Sequence, residues 1–286
     1  MKISKLNKKL VIGSANFIKK YGIESSKVKE DEIYKILDLA KKNGIYKFDT
    51  AEAYLKKNNI FKNTDKKFRF YTKLFPDAKW VSLEFCQKKI EDHLNLFDRC
   101  KIDILFFHDI KILFSKKGKK IFKNLEILKK KNFFKKIGLS IYDTDCLEYL
   151  NSKYDFDAIQ IPYNVLDNRI LTSGWYSKLK NQGKEIHVRS IFLQGLLVNN
   201  LLYRNKYFKK WEKIFDNWFE FLKSKNMSPI DYCLNDALTN DFDQIVIGIN
   251  NSENLKKIIN FKTIEINKMI SFRFNDTKLI DPRKWK

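Results

Sequence analysis

The sequence predicts a single α/β domain, a (β/α)8 (TIM) barrel spanning residues 1–286. Three observations carry that expectation. Eight short apolar runs are spaced along the chain, as parallel strands buried on both faces should be. Segments of helical periodicity separate them, and eight such alternating units in 286 residues are the content of a barrel. A doubly wound sheet, the structural competitor, would open on a glycine-rich GxGxxG turn, and the chain has none.

The strand-like runs fall at residues 10–14, 46–49, 68–73, 102–108, 136–140, 158–162, 186–191 and 244–249. Between the first two, 31–42 aligns Ile33, Ile36, Leu37 and Ala40 and stops at Asn43-Gly44, where glycine can take the left-handed conformation that ends a helix. Residues 82–97 align Phe85, Ile90, Leu94 and Phe97, and 119–131 aligns Ile121, Leu125 and Leu128. Further helices are expected at 144–151, 172–181, 228–238 and 252–259. Pro229 suits the first turn of its helix, where a missing N–H costs little. The rhythm breaks at 199–225, an insertion after strand seven with an apolar stripe through Phe208, Trp211, Phe215, Trp218 and Leu222. It reads either as packing on the barrel rim or as a lid over a ligand.

Composition narrows the partners. A formal net charge of +23 invites a nucleic-acid reading. The lysines are scattered over the whole chain, however, and Asn, Ile and Phe are abundant too, so solvated helix faces account for the charge and no nucleic-acid partner is expected. General steering of phosphorylated or acidic ligands remains. No window of about 20 apolar residues exists, so no membrane span is expected. Residues 1–9 lack an apolar signal core. Cys86, Cys100, Cys146 and Cys233 are widely spaced without a CxxC, which argues against a disulfide framework or a zinc site and fits a reducing cytoplasm.

The chemistry gathers at strand ends. Asp49-Thr50-Ala51-Glu52-Ala53-Tyr54 closes the second run, Lys73 the third and His108 the fourth. A lysine near a tyrosine lowers the phenol's pKa, and an aspartate paired with that lysine fixes its position. A histidine beside them can donate a hydrogen bond to a carbonyl oxygen. Reducing a carbonyl with a hydride donor requires this set. His93 and His187 lack such a context and read as structural.

This ordered tetrad on a barrel pattern resembles the aldo-keto reductase family over nearly the whole chain. The resemblance implies NADP-dependent reduction of an aldehyde or ketone, with Tyr54 as general acid and Asp49, Lys73 and His108 as its partners. A sugar derivative is one candidate substrate. Ile137-Gly138-Leu139-Ser140 is similar to the family's strand-five motif, with Ile141 in place of the usual Asn, and Gln160-Ile161-Pro162-Tyr163-Asn164 to its QxxYN. Ser140 and Gln160 would then hold the nicotinamide carboxamide. Gly13-Ser14 resembles a Gly-Thr contact near the nicotinamide ribose, and Asp49 belongs to the cofactor side as well. Arg189 and Ser190 open a segment that runs under the cofactor, Arg189 standing where many members place an aromatic ring. Gly248, Asn250, Ser252 and Asn254 resemble the loop that grips the adenosine phosphate end. Neutral Asn250 stands where a base often meets the 2′-phosphate, and Lys256 and Lys257 are the nearest cations. NADP is favoured and NAD stays open.

The brief tail, 281–286, implies a pocket that is open or shaped by 199–225. Trp80, Phe75 and Tyr21 read as substrate-side wall or as core, and Glu52 as pocket mouth or solvated surface. A reading from another class is a nucleotide-binding barrel acting as a sensing or regulatory subunit. Oligomeric state is left open.

Overall fold

A computed structural model of the chain describes residues 4–18, 23, 27–55, 60–62, 64–98, 102–265, 272–274 and 276–285. Eight strands form: β1 (Leu10–Gly13), β2 (Lys47–Asp49), β3 (Arg69–Leu74), β4 (Ile102–Phe107), β5 (Phe134–Ser140), β6 (Ala158–Pro162), β7 (Glu185–Arg189) and β8 (Gln244–Gly248). Each pairs in parallel with its successor, and β8 pairs back on β1, so the sheet closes into a barrel. The eight runs read from the sequence are these strands, and one domain contains them.

Side chains alternate between the two faces of each strand. Ile12, Phe48, Phe70, Leu105, Ile137, Ile159, Val188 and Ile245 point outward into the main core under the helices. Val11, Tyr71, Ile104, Phe106, Ala158 and Val246 form a separate apolar layer inside the barrel. The inward positions below that layer are polar: Lys136 pairs with Glu185, which also meets His187 Nε2 at 3.0 Å. Those above it are Asp49, Lys73, Ser140, Gln160 and Arg189, one inward position closer to the strands' C-terminal ends. Period-two alternation thus carries the strand-end residues into the barrel mouth.

Gly138 makes this inner layer possible. A Cβ built there would lie 2.3 Å from the Phe106 ring, which is itself buried. Gly138→Ala is expected to cost about 1–3 kcal/mol through overpacking, read as a lower midpoint in denaturant unfolding.

The helices follow the predicted stripes. Glu30–Lys42 buries Ile33, Ile36, Leu37 and Ala40, and Gly44 follows its C-cap at φ 71°. Leu83–Phe97 is capped by Ser82, whose hydroxyl accepts from Phe85 N–H. The helix expected at 172–181 is instead two pieces, Arg169–Thr172 and Trp175–Asn181, divided at Gly174 with φ 78°. Among the described residues, no helix is long and apolar enough to cross a membrane.

The insertion contains two 3-10 segments, Leu202–Arg204 and Lys206–Trp211, then the helix Glu212–Ser224. Its apolar stripe builds a second core with Leu193, Leu196, Leu197, Tyr232, Leu279 and Ile280. The segment 276–285 is tied to it: Trp211 Nε1 donates to Asp276 at 3.0 Å, the Tyr207 hydroxyl to the carbonyls of Lys278 and Lys284, both at 3.0 Å, and Trp285 packs edge-on against Phe208.

Candidate active site

A cavity of about 700 Å³ opens at the C-terminal ends of the strands, the end where barrels of this architecture place their chemistry. Gly13, Asp49, Lys73, His108, Ser140, Gln160, Arg189, Ser190, Gly248, Asn250 and Asn254 line it. Residues separated by up to about 240 positions in sequence therefore share one wall.

At its floor, Lys73 Nζ donates to Asp49 Oδ1, and Gln160 Nε2 donates to Asp49 Oδ2 at 2.7 Å. The pair is deeply buried, with Lys73 only 4% and Asp49 6% exposed. Burial pulls the Lys73 ammonium below the usual lysine range; Asp49 opposes that pull and the nearby charge of Arg189 adds to it. Gln160 Oε1 is buried without a hydrogen-bond partner, an acceptor that a carboxamide N–H would satisfy. Strand register sets Ser140 opposite Gln160.

His108 follows β4, with its N–H donating to Leu74 carbonyl at 2.8 Å. Its ring stacks on Phe75, centroids 4.1 Å apart and planes at 22°, so Phe75 orients a site residue. Trp80 belongs to the core: it is 3% exposed and its carbonyl accepts from Asn124 Nδ2 at 2.9 Å. Tyr54 lies in the short helix Glu52–Leu55 that follows β2, and its side chain is outside the described residues, as is Tyr21.

Two predicted cofactor residues stand outside the lining. Ser14 is fully buried, its N–H donating to the Asp49 carbonyl at 2.9 Å. Ser252 gives both its N–H and its hydroxyl to Glu32 Oε1, each at 2.6 Å. Those two hydrogen bonds hold the Glu32 carboxyl down at about 2. The N-terminus of the helix Ser252–Ile259 is thus satisfied from within, since Asn251 Oδ1 also accepts from Asn254 N–H at 2.8 Å.

Sequence reasoning missed Asn16, Tyr142, Asn199 and Asn251, which line the cavity too. Asn16 Nδ2 donates to Asn250 Oδ1. Tyr142 lies under two cations: the guanidinium carbons of Arg189 and Arg283 stand 4.2 Å and 3.6 Å from its ring centroid. Both guanidinium groups are thus within cation–π distance of the one ring. Its place two residues past Ser140 was the available signal; a partner at Arg283 was not. The two lysines near Asn250 also separate. Lys257 lines the cavity, whereas Lys256 pairs with Glu253 at 2.7 Å. His93 and His187 are structural: His93 Nε2 meets Thr72 Oγ1 at 2.6 Å, and burial lowers its pKa to about 4.

Comparison with known proteins agrees with this architecture. The model of the aldo/keto reductase family matches residues 9–270. An aldo-keto reductase from Bacillus halodurans in its holo form superposes with a TM-score of 0.72 at 17% identity, covering 91% of this chain and 89% of that one. The glycerol dehydrogenase from Gluconobacter oxydans gives 0.68 at 15% identity, over 91% and 88%. No curated protein matches the sequence. Those identities speak for the fold; the family match, spanning most of the chain, makes it a member of the aldo/keto reductase family and a carbonyl-reducing oxidoreductase.

Proposed function

We propose that this enzyme reduces a small aldehyde or ketone with NADPH, using Tyr54 as general acid and Lys73, Asp49 and His108 to support it. The observation that carries the reading is the buried Lys73–Asp49–Gln160 chain at the floor of a barrel-mouth cavity. A buried charge pair needs full hydrogen bonding to persist, and this one lies beneath a wall of polar groups rather than in the core.

Gln160, with Nε2 committed to Asp49, accepts a carboxamide N–H at Oε1, and Ser140 joins it from the neighbouring strand. When bound, the nicotinamide supplies hydride to the carbonyl carbon. Tyr54 gives its hydroxyl proton to the carbonyl oxygen. The Lys73 ammonium, fixed by Asp49, favours the phenolate left behind. His108, oriented by Phe75, donates a hydrogen bond to the same oxygen. The test is a panel of carbonyl compounds, sugars included, with NADPH oxidation followed at saturating cofactor; absence of carbonyl-dependent oxidation across the panel would support a sensing role instead.

Cofactor preference should rest on Lys257. The helix N-terminus beside it is already capped by Glu32 and Asn251, which leaves the 2′-phosphate to side chains. NADPH is expected to bind more tightly than NADH by about fivefold, the scale of one exposed charge pair. Lys257→Ala should erase the difference and Lys256→Ala should leave it. Calorimetric titration checks this, and tighter NADH binding by the unmutated enzyme would refute it.

A further inference from the structure

We propose that Arg189 makes this site hold a reduced nicotinamide in preference to an oxidised one, an inference that rests on the cofactor reading above. The oxidised ring carries a positive charge and the reduced ring is neutral. A fixed cation against the ring therefore disfavours one form and spares the other.

The structure supplies that cation. Arg189 ends β7 and lines the cavity. It stands at the inward position next beyond His187, and His187 is the register partner of Gln160. A ring docked by its carboxamide at Gln160 accordingly lies against the strand that carries Arg189. The guanidinium is held by two neutral groups. Nη2 donates to the Ile141 carbonyl at 3.2 Å, and the guanidinium carbon lies over the Tyr142 ring.

Neutralisation distinguishes Arg189 from its neighbours. Arg169 pairs with Asp167 at 2.8 Å and Arg283 with Asp281 at 2.6 Å. Among the described residues no carboxylate is paired with Arg189. The nearest carboxylate on the cavity floor, Asp49, is spoken for by Lys73, so that pair contributes little net charge. Among the described residues Arg189 is thus an uncompensated charge on the β7 side of the cavity, while Lys257, which also lines it, lies on the helix after β8.

The position is also fixed. Tyr142 is also held by Arg283, whose fork is locked on Asp281 through three hydrogen bonds of 2.6–3.1 Å. A guanidinium seated over a ring that a second arginine also holds, and tied to a backbone carbonyl, has little freedom to swing away from a cationic ligand. Preorganised charge in a partly dry site acts more strongly than the same charge in water.

The decisive measurement is the ratio of dissociation constants for the two oxidation states, by isothermal titration calorimetry of the whole enzyme with NADP+ and NADPH, repeated with NAD+ and NADH. Each pair shares all its phosphates, so the ratio isolates the charge of the ring. The unmutated enzyme should bind the reduced form at least about tenfold more tightly, equivalent to about 30 mV in a two-electron couple. Arg189→Met should bring the ratio within about threefold of unity, chiefly by tightening the oxidised form. Arg189→Lys, which keeps the charge, should retain most of the preference. A ratio near one in the unmutated enzyme overturns the proposal whether or not the variants fold. So does an Arg189→Met variant that weakens both forms equally, because that is the signature of lost packing. Failure to bind either form in either pair would overturn the cofactor reading itself, and this inference with it.

Discussion

Tyr54→Phe is expected to lower kcat at least about a hundredfold, the ordinary scale for removing a general acid, while cofactor affinity holds. The substitution deletes one oxygen and keeps the ring, so the short helix Glu52–Leu55 and its surroundings lose a proton donor and almost no volume. His108 and Lys73 remain, and residual turnover should draw on them and on solvent. The loss should be smallest for carbonyls activated by electron-withdrawing substituents, whose oxygen needs less protonation at the transition state. Steady-state kinetics on an activated and an unactivated substrate, with cofactor titration alongside, would show the split. Near-normal turnover on both would remove Tyr54 from the mechanism.

Lys73→Met is expected to fold and to be nearly inactive, for a different reason. Lys73 is 4% exposed and its ammonium is bonded to Asp49. Removing it strands a buried carboxylate, which costs on the order of a few kcal/mol. Asp49 can escape part of that cost by taking up a proton. Its folded-state pKa in the variant should then lie above its unfolded value. The folded variant binds more protons than the unfolded chain across that window, so it loses stability as pH rises through it. The gap between the unmutated enzyme and the variant should therefore widen from acidic to neutral pH. Thermal melts at several pH values test this, and a gap that stays constant would contradict an Asp49–Lys73 pair as the keystone of the floor.

The barrel was legible because parallel strands buried on both faces leave short apolar runs whose ends are marked by polar residues. The same rule exposed Asp49, Lys73 and His108, which are polar where the run stops, whereas Ser140 and Gln160 were legible only through the family resemblance. Contacts that depend on side-chain direction across long sequence separations were not legible. Nothing local to Ser252 reveals that Glu32 takes both its donors. Nothing local to Tyr142 announces Arg283. The stripe at 199–225 was visible, but its partners, Leu279 and Ile280, come from a segment too short to show periodicity. Gly174 lies inside the helical pattern at 172–181, and nothing local in that pattern marks the left-handed turn that divides it.

That second core has a consequence for biosynthesis. Phe208, Trp211, Phe215 and Trp218 leave the ribosome before Leu279, Ile280 and Trp285 exist to cover them. At about 5–20 residues per second, the helix Glu212–Ser224 spends several seconds with part of its aromatic face bare. Seven of the eight strands precede this helix and β8 (Gln244–Gly248) follows it within that interval, so the nascent chain passes through a stage in which a nearly complete sheet carries an unfinished, sticky flap beside its mouth. During those seconds the chain is most exposed to association with its neighbours and most in need of a holding chaperone.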